Sequence, residues 1–168
     1  MDLFILRHGD AGQRVSAGSG DFQRSLTAAG QKEVSDIARS LKDLGTRFDL
    51  VITSPLKRAH QTASIVAKIL KIEKKMQDWA ELSPEGNRLD LYNKLSKLKQ
   101  QSSILVVGHE PYLSGMINEI INDGNKGGRI VLKKVGLARI RIISSTPKLQ
   151  GELRWLLTPK LLKNMSSK

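Results

Sequence analysis

The sequence predicts an α/β fold: a three-layer α-β-α sandwich with a mainly parallel central sheet. Three short apolar runs of the buried-strand type, at residues 3–6, 50–53 and 104–107, carry this prediction. A segment with apolar residues at helical spacing follows each run. Because strands that alternate with helices form parallel sheets with helices on both faces, the pattern indicates α/β architecture.

Length and composition are those of one globular domain. The chain has 168 residues, of which 39% are hydrophobic and 26% charged, so it can bury a core without covalent staples. We predict a single domain over residues 1–160 and a basic C-terminal tail over 161–168 that frays. The absence of cysteine excludes a disulfide framework and a thiolate nucleophile.

Neither a membrane span nor a secretory signal is predicted. No apolar run approaches the roughly 20 residues that a span needs. The first apolar stretch meets Arg7 too early for the core of a signal peptide. We therefore expect a cytoplasmic protein without a membrane partner, and the sequence leaves its oligomeric state open.

The first strand and the first helix frame a polar loop. Residues 3–6 form the strand, and the tripeptide Arg7-His8-Gly9 follows directly at its end. Residues 10–25 are rich in Gly, Ser and Ala without a hydrophobic period, which predicts a loop. Thr27 can cap a helix that Gly45 ends. The apolar positions of this helix recur at helical spacing: Val34, Ile37, Ala38, Leu41 and Leu44.

The rest of the chain continues the alternation of strands and helices. The strand at 50–53 turns at Ser54-Pro55 into a second helix. The further elements are a short strand at 75–77, a loop at 79–86, a helix marked by Leu91, Leu95 and Leu98, a strand at 104–107, a helix over 113–120, and late strands at 130–132, 138–143 and 151–157.

Four basic side chains follow the ends of predicted strands. In open α/β sheets, ligands bind outside the carboxyl ends of the strands. The first strand is followed by Arg7 and His8, the second by Arg58, and the strand at 104–107 by His109. We therefore expect two histidines and two arginines to converge on one crevice.

Such a set of side chains suits a phosphoryl group. The guanidinium groups of Arg7 and Arg58 present planar forks of donors that match phosphate oxygens. A neutral imidazole can attack phosphorus to form phosphohistidine, which splits one displacement into two easier steps. The other imidazole, if protonated, would donate a hydrogen bond to the same oxygens. Spacing alone does not decide which histidine attacks.

The motifs indicate neither a cofactor nor a metal centre. No Gly-rich loop of the Walker or dinucleotide type occurs, and three histidines without cysteine leave no ligand set at the usual spacing. The net charge of +12 would attract phosphates, acidic proteins and nucleic acid alike. Because no nucleic-acid-binding motif accompanies the charge, we do not expect nucleic acid as the partner.

Three motifs together resemble those of the histidine phosphatase, or phosphoglycerate mutase-like, superfamily. They are Arg7-His8-Gly9, Ser54-Pro55-x-x-Arg58-Ala59-x-x-Thr62-Ala63 and Gly108-His109, in matching order over nearly the whole chain. Among its branches, the sequence most resembles the SixA-type phosphohistidine phosphatases, through its small size, Arg7-His8-Gly9-Asp10-Ala11 and Arg24-x-Leu26-Thr27-x-x-Gly30. The resemblance implies a phosphoglycerate mutase-like fold.

The resemblance also implies roles for individual residues. His8 would be the phosphorylated nucleophile. Arg7, Arg58 and His109 would bind the phosphoryl group, and Arg24 is a weaker candidate for the same pocket.

Glu81 is the candidate proton donor. Many members of the superfamily carry a glutamate that protonates the leaving group, in the loop that corresponds here to Glu81-Leu82-Ser83-Pro84. An imidazole leaving group that already carries a proton needs little help from a general acid. Glu81 could therefore contribute catalysis, binding or nothing.

We expect a metal-independent phosphatase with a phospho-His8 intermediate that acts on phosphohistidine in a protein. One alternative is a broad-specificity small-molecule phosphomonoesterase of the same superfamily, because an open basic crevice admits either kind of substrate. A second alternative, from another class, is a basic module that binds phosphate or nucleic acid without turnover.

Overall fold

The computed structural model contains one six-stranded sheet with helices on both faces, and it describes residues 1–13, 21–98, 102–122, 128–145 and 148–166. The strands are β1 (Asp2–Arg7), β2 (Leu50–Thr53), β3 (Met76–Asp78), β4 (Ser103–Gly108), β5 (Leu137–Ser144) and β6 (Gln150–Leu157). The helices are α1 (Ala28–Asp43), α2 (Lys57–Leu70), α3 (Arg88–Ser96), α4 (Tyr112–Ile121) and α5 (Pro159–Ser166), with short 3-10 turns at Glu73–Lys75 and Ala80–Leu82.

The strand order is β3-β2-β4-β1-β5-β6, and the first four strands in this order run parallel. β5 is antiparallel to β1, and β6 is antiparallel to β5. The mainly parallel sheet and the α/β class are therefore confirmed. In the register of the ladders, Arg7 lies opposite Gly108 and Thr53 lies opposite Val107. The carboxyl ends of β1, β2 and β4 consequently meet at one edge of the sheet.

Successive residues of β1 face opposite sides of the sheet, as the two-residue period of a strand requires. Leu3 and Ile5 belong to the core that α3 and α4 cover. Phe4 and Leu6 belong to the core that α1, α2 and α5 cover. A strand that is apolar on both faces has to lie between two helical layers, which explains the uninterrupted apolar run.

The first helix begins and ends at the predicted residues. The Thr27 hydroxyl accepts a hydrogen bond of 2.9 Å from the Gly30 backbone N–H, which satisfies a donor in the first turn. Gly45 follows the helix with φ of 69°, a left-handed conformation that glycine adopts without steric cost.

Two expectations about secondary structure are wrong. The segment 130–132, predicted as a strand, is not part of the sheet. Its Leu132 carbonyl accepts instead from the Arg7 side chain. The predicted frayed tail is helical as far as Ser166, because Leu162 is only 2% exposed and belongs to the same core as α1. Residues 14–20 of the predicted loop and the last two residues lie outside the described part of the chain.

Candidate active site

The two strand-end histidines lie side by side at the carboxyl edge of the sheet. The His8 backbone N–H donates to the Gly108 carbonyl at 3.0 Å, which joins the end of β1 to the end of β4. The imidazole centroids of His8 and His109 are 5.1 Å apart. Both side chains are buried, with 7% of His8 and 2% of His109 exposed. The predicted convergence of the two histidines is therefore present in the structure.

The protonation of His8 follows from its surroundings. Its Nδ1 lies 2.7 Å from the Gly9 carbonyl oxygen, which can only accept, so Nδ1 carries a proton. Burial lowers the pKa of His8 to about 4, and the charges of Arg58, Arg7 and Arg24 act in the same direction. The imidazole is consequently neutral near pH 7, and its lone pair is on Nε2.

His109 is also neutral in the free site. Its Nε2 lies 2.8 Å from the Ser54 hydroxyl at the end of β2. Burial lowers the pKa of His109 to about 2, and the neighbouring His8 and Arg58 add to this effect. A protonated His109 that donates to a bound phosphoryl group would therefore need the negative charge of that group to raise its pKa.

The positive charges of three arginines act on both histidines. The charges of Arg7, Arg24 and Arg58 all lower the pKa of His8 and of His109. Arg58, in the first turn of α2, is only 4% exposed. The site therefore gathers guanidinium charge around two neutral imidazoles, which is an environment that attracts an oxyanion.

Asp21 holds two of these arginines in place, and sequence reasoning missed it. Its backbone carbonyl accepts from Arg58 Nη1 at 2.8 Å, and its carboxylate lies 3.1 Å from Arg58 Nη2. The same carboxylate accepts from Arg24 Nε at 2.9 Å. The three-residue spacing between Asp21 and Arg24 is a local signal, whereas the contact with Arg58 depends on the fold.

Thr62 is a second residue that joins separate parts of the site. Its hydroxyl donates to the Arg58 carbonyl one helical turn earlier, at 2.7 Å, and accepts from the Gly9 backbone N–H at 3.1 Å. The hydroxyl therefore connects α2 to the backbone directly after His8. Thr62 belongs to the motif that begins at Ser54 and includes Arg58, but the motif alone does not indicate this contact.

Two glycines allow helix α1 to approach the loop that follows His8. A Cβ on Gly30 would lie 2.2 Å from the Asp10 carbonyl oxygen. A Cβ on Gly9 would lie 2.8 Å from a Val34 methyl group. Because real Cβ atoms do not approach other atoms so closely, side chains at these positions would displace the loop after His8 from α1.

Glu81 lies in the 3-10 turn that follows β3 and is held by a lysine. Its Oε1 lies 2.6 Å from Lys94 Nζ, and this hydrogen bond holds the pKa of Glu81 below its ordinary value. The Tyr112 hydroxyl donates to the Glu81 backbone carbonyl at 2.6 Å, which attaches the turn to α4. Glu81 is therefore ionised near pH 7, and its role as a proton donor stays a prediction.

Neither a cluster of metal-binding side chains nor a membrane-spanning helix occurs in the part of the chain that the structure describes. No group of three or more His, Cys, Asp or Glu side chains is placed to hold a metal ion. Within the same residues, no helix is long and apolar enough to cross a bilayer.

Residues 3–84 match the family model of the histidine phosphatase superfamily (branch 1). An uncharacterized protein of Picosynechococcus sp. is 34% identical over 168 residues, which cover 96% of this chain and 99% of that protein. Among solved structures, the protein histidine phosphatase SixA complexed with tungstate superposes with a TM-score of 0.83 and 27% identity, over 96% of this chain and 99% of SixA.

The α-ribazole phosphatase of Shigella flexneri has the same fold, with a TM-score of 0.72 and 21% identity over 95% of this chain and 97% of that one. These matches agree with the phosphoglycerate mutase-like architecture. The chain belongs to the histidine phosphatase superfamily and is similar to its SixA-type members.

Proposed function

We propose that this phosphatase removes a phosphoryl group from phosphohistidine in a protein, through a covalent intermediate on His8 and without a metal ion. The observation that carries the proposal is the state of His8: the hydrogen bond from Nδ1 to Gly9 leaves the lone pair on Nε2 of a neutral imidazole. A nucleophile in this state needs no base to remove its proton.

The proposed reaction has two displacements at phosphorus. His8 Nε2 forms a bond to phosphorus while the bond from phosphorus to the substrate nitrogen breaks, and the substrate imidazole leaves as a neutral group if its other nitrogen carries the proton. A water molecule then attacks the phosphorus of phospho-His8, the bond from phosphorus to Nε2 breaks with its electron pair returning to Nε2, and the protons of the water remain on the phosphate product or pass to solvent. The products are inorganic phosphate and the two free imidazoles.

The arginines would stabilise the charge on the transferring group. Phosphoryl transfer depends mainly on positioning and on charge stabilisation. Arg58 lies beside the nucleophile with its fork fixed by Asp21, and Arg7 and Arg24 add positive charge around the same pocket. In other phosphoryl-transfer sites, metal ions supply much of this charge.

His109 would take part as the phosphoryl group arrives. An anion beside its imidazole opposes the effect of burial and raises the pKa of the side chain. The ring could then donate a hydrogen bond to a phosphoryl oxygen and keep its contact with the Ser54 hydroxyl.

Two observations support a protein as the substrate. The solved structure of SixA, which is 27% identical to this chain, is of a protein histidine phosphatase in complex with tungstate, a tetrahedral oxyanion like phosphate. The part of the chain between Arg58 and His109 is mostly occupied by α2, β3, α3 and β4, and little of it remains for a lid over a small substrate.

The small-molecule alternative has one observation in its favour. The fold is shared with the α-ribazole phosphatase of Shigella flexneri, whose name gives a small phosphate ester as substrate. Both candidate reactions use the same proposed intermediate, so they differ in leaving group and not in nucleophile. A cytoplasmic location, which suits either substrate, stays a prediction.

The nucleophile is tested by trapping. A peptide with ³²P-labelled phosphohistidine is mixed with enzyme and quenched after milliseconds, and we expect protein-bound label that is stable to base and labile to acid. His8→Ala should lose the label, and His60→Ala is the matched control, because His60 is the third histidine of the chain and lies on the outer part of α2. Label that persists in a folded His8→Ala variant contradicts the proposed nucleophile.

The substrate class is tested by comparing turnover. Hydrolysis of the phosphohistidine peptide with little activity on p-nitrophenyl phosphate supports the protein substrate, and the reverse result supports the phosphomonoesterase. Binding of phosphate without turnover of either substrate would instead favour the binding module.

A further inference from the structure

A groove lies on the side of α4, and Arg7 and Glu110, the chain neighbours of His8 and His109, are part of its lining. It has a volume of about 610 Å³ and lies between the first turns of α4 and the segment 129–132. The side chains that matter for recognition are Arg7, Glu110, Ser114, Asn118, Arg129 and Val131.

Arg7 belongs both to the phosphate pocket and to this groove. Its charge lowers the pKa of His8, which places the guanidinium within electrostatic range of the nucleophile. Its Nη1 donates to the Leu132 carbonyl at 3.0 Å, so the same side chain fixes the far wall of the groove. Because Arg7 is the last residue of β1 and Glu110 follows β4, next to His8 and His109, the groove borders the histidine pair.

The charges that line the groove are mostly positive. Among the described residues that line the groove, the one carboxylate is that of Glu110, which accepts a hydrogen bond of 2.9 Å from the Ser114 backbone N–H and so satisfies a donor in the first turn of α4. Arg129 is exposed and forms no ion pair with the residues that the structure describes. The chain as a whole carries a charge of +12. An acidic ligand is therefore the complementary one.

The groove also presents an apolar contact beside its charge. Val131 is 70% exposed, although its neighbour Leu132 is buried. A patch that combines an exposed aliphatic side chain, polar side chains and the exposed guanidinium of Arg129 offers separate contacts to successive side chains of a polypeptide.

We propose that this groove binds the polypeptide next to the phosphorylated residue, with an acidic side chain of the substrate at Arg129 and an apolar one at Val131. The inference rests on the proposed function and specifies which phosphoproteins the enzyme prefers. It assigns to Arg129 a role in substrate specificity and none in the chemical steps at phosphorus.

The test uses two phosphohistidine peptides that differ only in their flanking residues, which are glutamates in one and lysines in the other, together with p-nitrophenyl phosphate. For Arg129→Glu we expect kcat/KM to fall about tenfold on the acidic peptide and to rise on the basic one, with the aryl phosphate unchanged. Val131→Ser should raise KM severalfold for both peptides and leave KM for p-nitrophenyl phosphate unchanged.

Lys160→Glu is the matched control, because it makes the same kind of charge change on α5, which packs on the opposite face of the sheet from α4. Equal losses in Arg129→Glu and Lys160→Glu, or no change of peptide preference in Arg129→Glu, would overturn the inference. These outcomes leave the proposed function intact as long as the wild-type enzyme forms the labelled phospho-His8. Failure of that label refutes the proposed function separately.

Discussion

His8 follows β1 and Glu81 follows β3, and the family resemblance assigns the roles of nucleophile and proton donor to these two residues. The two side chains lie in contrasting environments. His8, after β1, is buried, neutral and hydrogen-bonded to its own backbone. Glu81, after β3, is ionised and paired with the half-exposed Lys94. Burial and a backbone hydrogen bond fix the protonation state of His8, whereas an ion pair with a half-exposed lysine fixes that of the Glu81 carboxylate.

The largest expected effect is at the buried end of this comparison. Arg58→Ala removes the guanidinium beside His8, and we expect kcat/KM to fall by about two to three orders of magnitude on any substrate. Arg39→Ala, which removes an exposed guanidinium from α1, is the control and should leave activity unchanged. A drop of less than threefold in Arg58→Ala would mean that this arginine does not contact the transferring group.

Removal of the Asp21 carboxylate tests whether orientation matters beyond charge. Asp21→Ala leaves Arg58 and Arg24 charged but frees their forks, so we expect kcat to fall about tenfold while inhibition by tungstate weakens less. Asp21→Asn keeps an acceptor and should recover part of the loss. Equal changes in kcat and in tungstate affinity would point to a general disruption of the pocket.

The pH dependence sharpens the same comparison. Since the pKa of His8 is lowered to about 4, titration of His8 should leave kcat/KM unchanged between pH 8 and pH 5. Below that range Nε2 becomes protonated, and kcat/KM should fall about tenfold by pH 3. Titration of His8 by NMR in the free enzyme checks the value directly. A midpoint near the ordinary histidine pKa of 6.5 would contradict the lowered pKa of this buried imidazole.

The sign for stability follows from the same shift. The unfolded chain binds a proton at His8 near pH 6.5, and the folded chain resists that proton until about pH 4. The free energy of unfolding should therefore decrease as the pH falls from about 6.5 towards 4. Urea unfolding at several pH values measures this decrease, which His8→Asn should reduce.

The smallest expected effect is at Glu81. Glu81→Gln removes a carboxylate that is already ionised, so turnover of a phosphohistidine peptide should change less than about threefold. Lys94→Met, which frees the carboxylate instead, is the companion variant. A loss of a hundredfold in Glu81→Gln would show that substrate binding displaces Lys94 and converts Glu81 into the proton donor.

Much of the fold was predictable because β1, β2 and β4 are buried on both faces and therefore apolar throughout. The run at 130–132 has the same composition, but its Leu132 carbonyl is satisfied by a side chain and not by a strand. Helix α5 was missed because the burial of Leu162 depends on α1, more than a hundred residues earlier in the chain.

The site residues that follow strand ends were predictable, whereas the contacts between distant parts of the chain were not. His8, Arg58 and His109 follow strand ends, and the strand-end rule brings such positions together. Asp21 could not be assigned because its partner Arg58 is 37 positions later in the chain, and only the folded structure brings the two together. The ion pair between Glu81 and Lys94 likewise depends on how α3 packs beside the turn after β3.

The central place of β1 has a consequence for how the protein acquires activity. β1 pairs with β4 and β5, which are both about a hundred or more residues later in the chain. Contacts of such long range form slowly, because a long loop has to close before they stabilise the chain. The recovery of phosphatase activity after dilution from denaturant should therefore report the completion of folding, and not the earlier formation of individual helices.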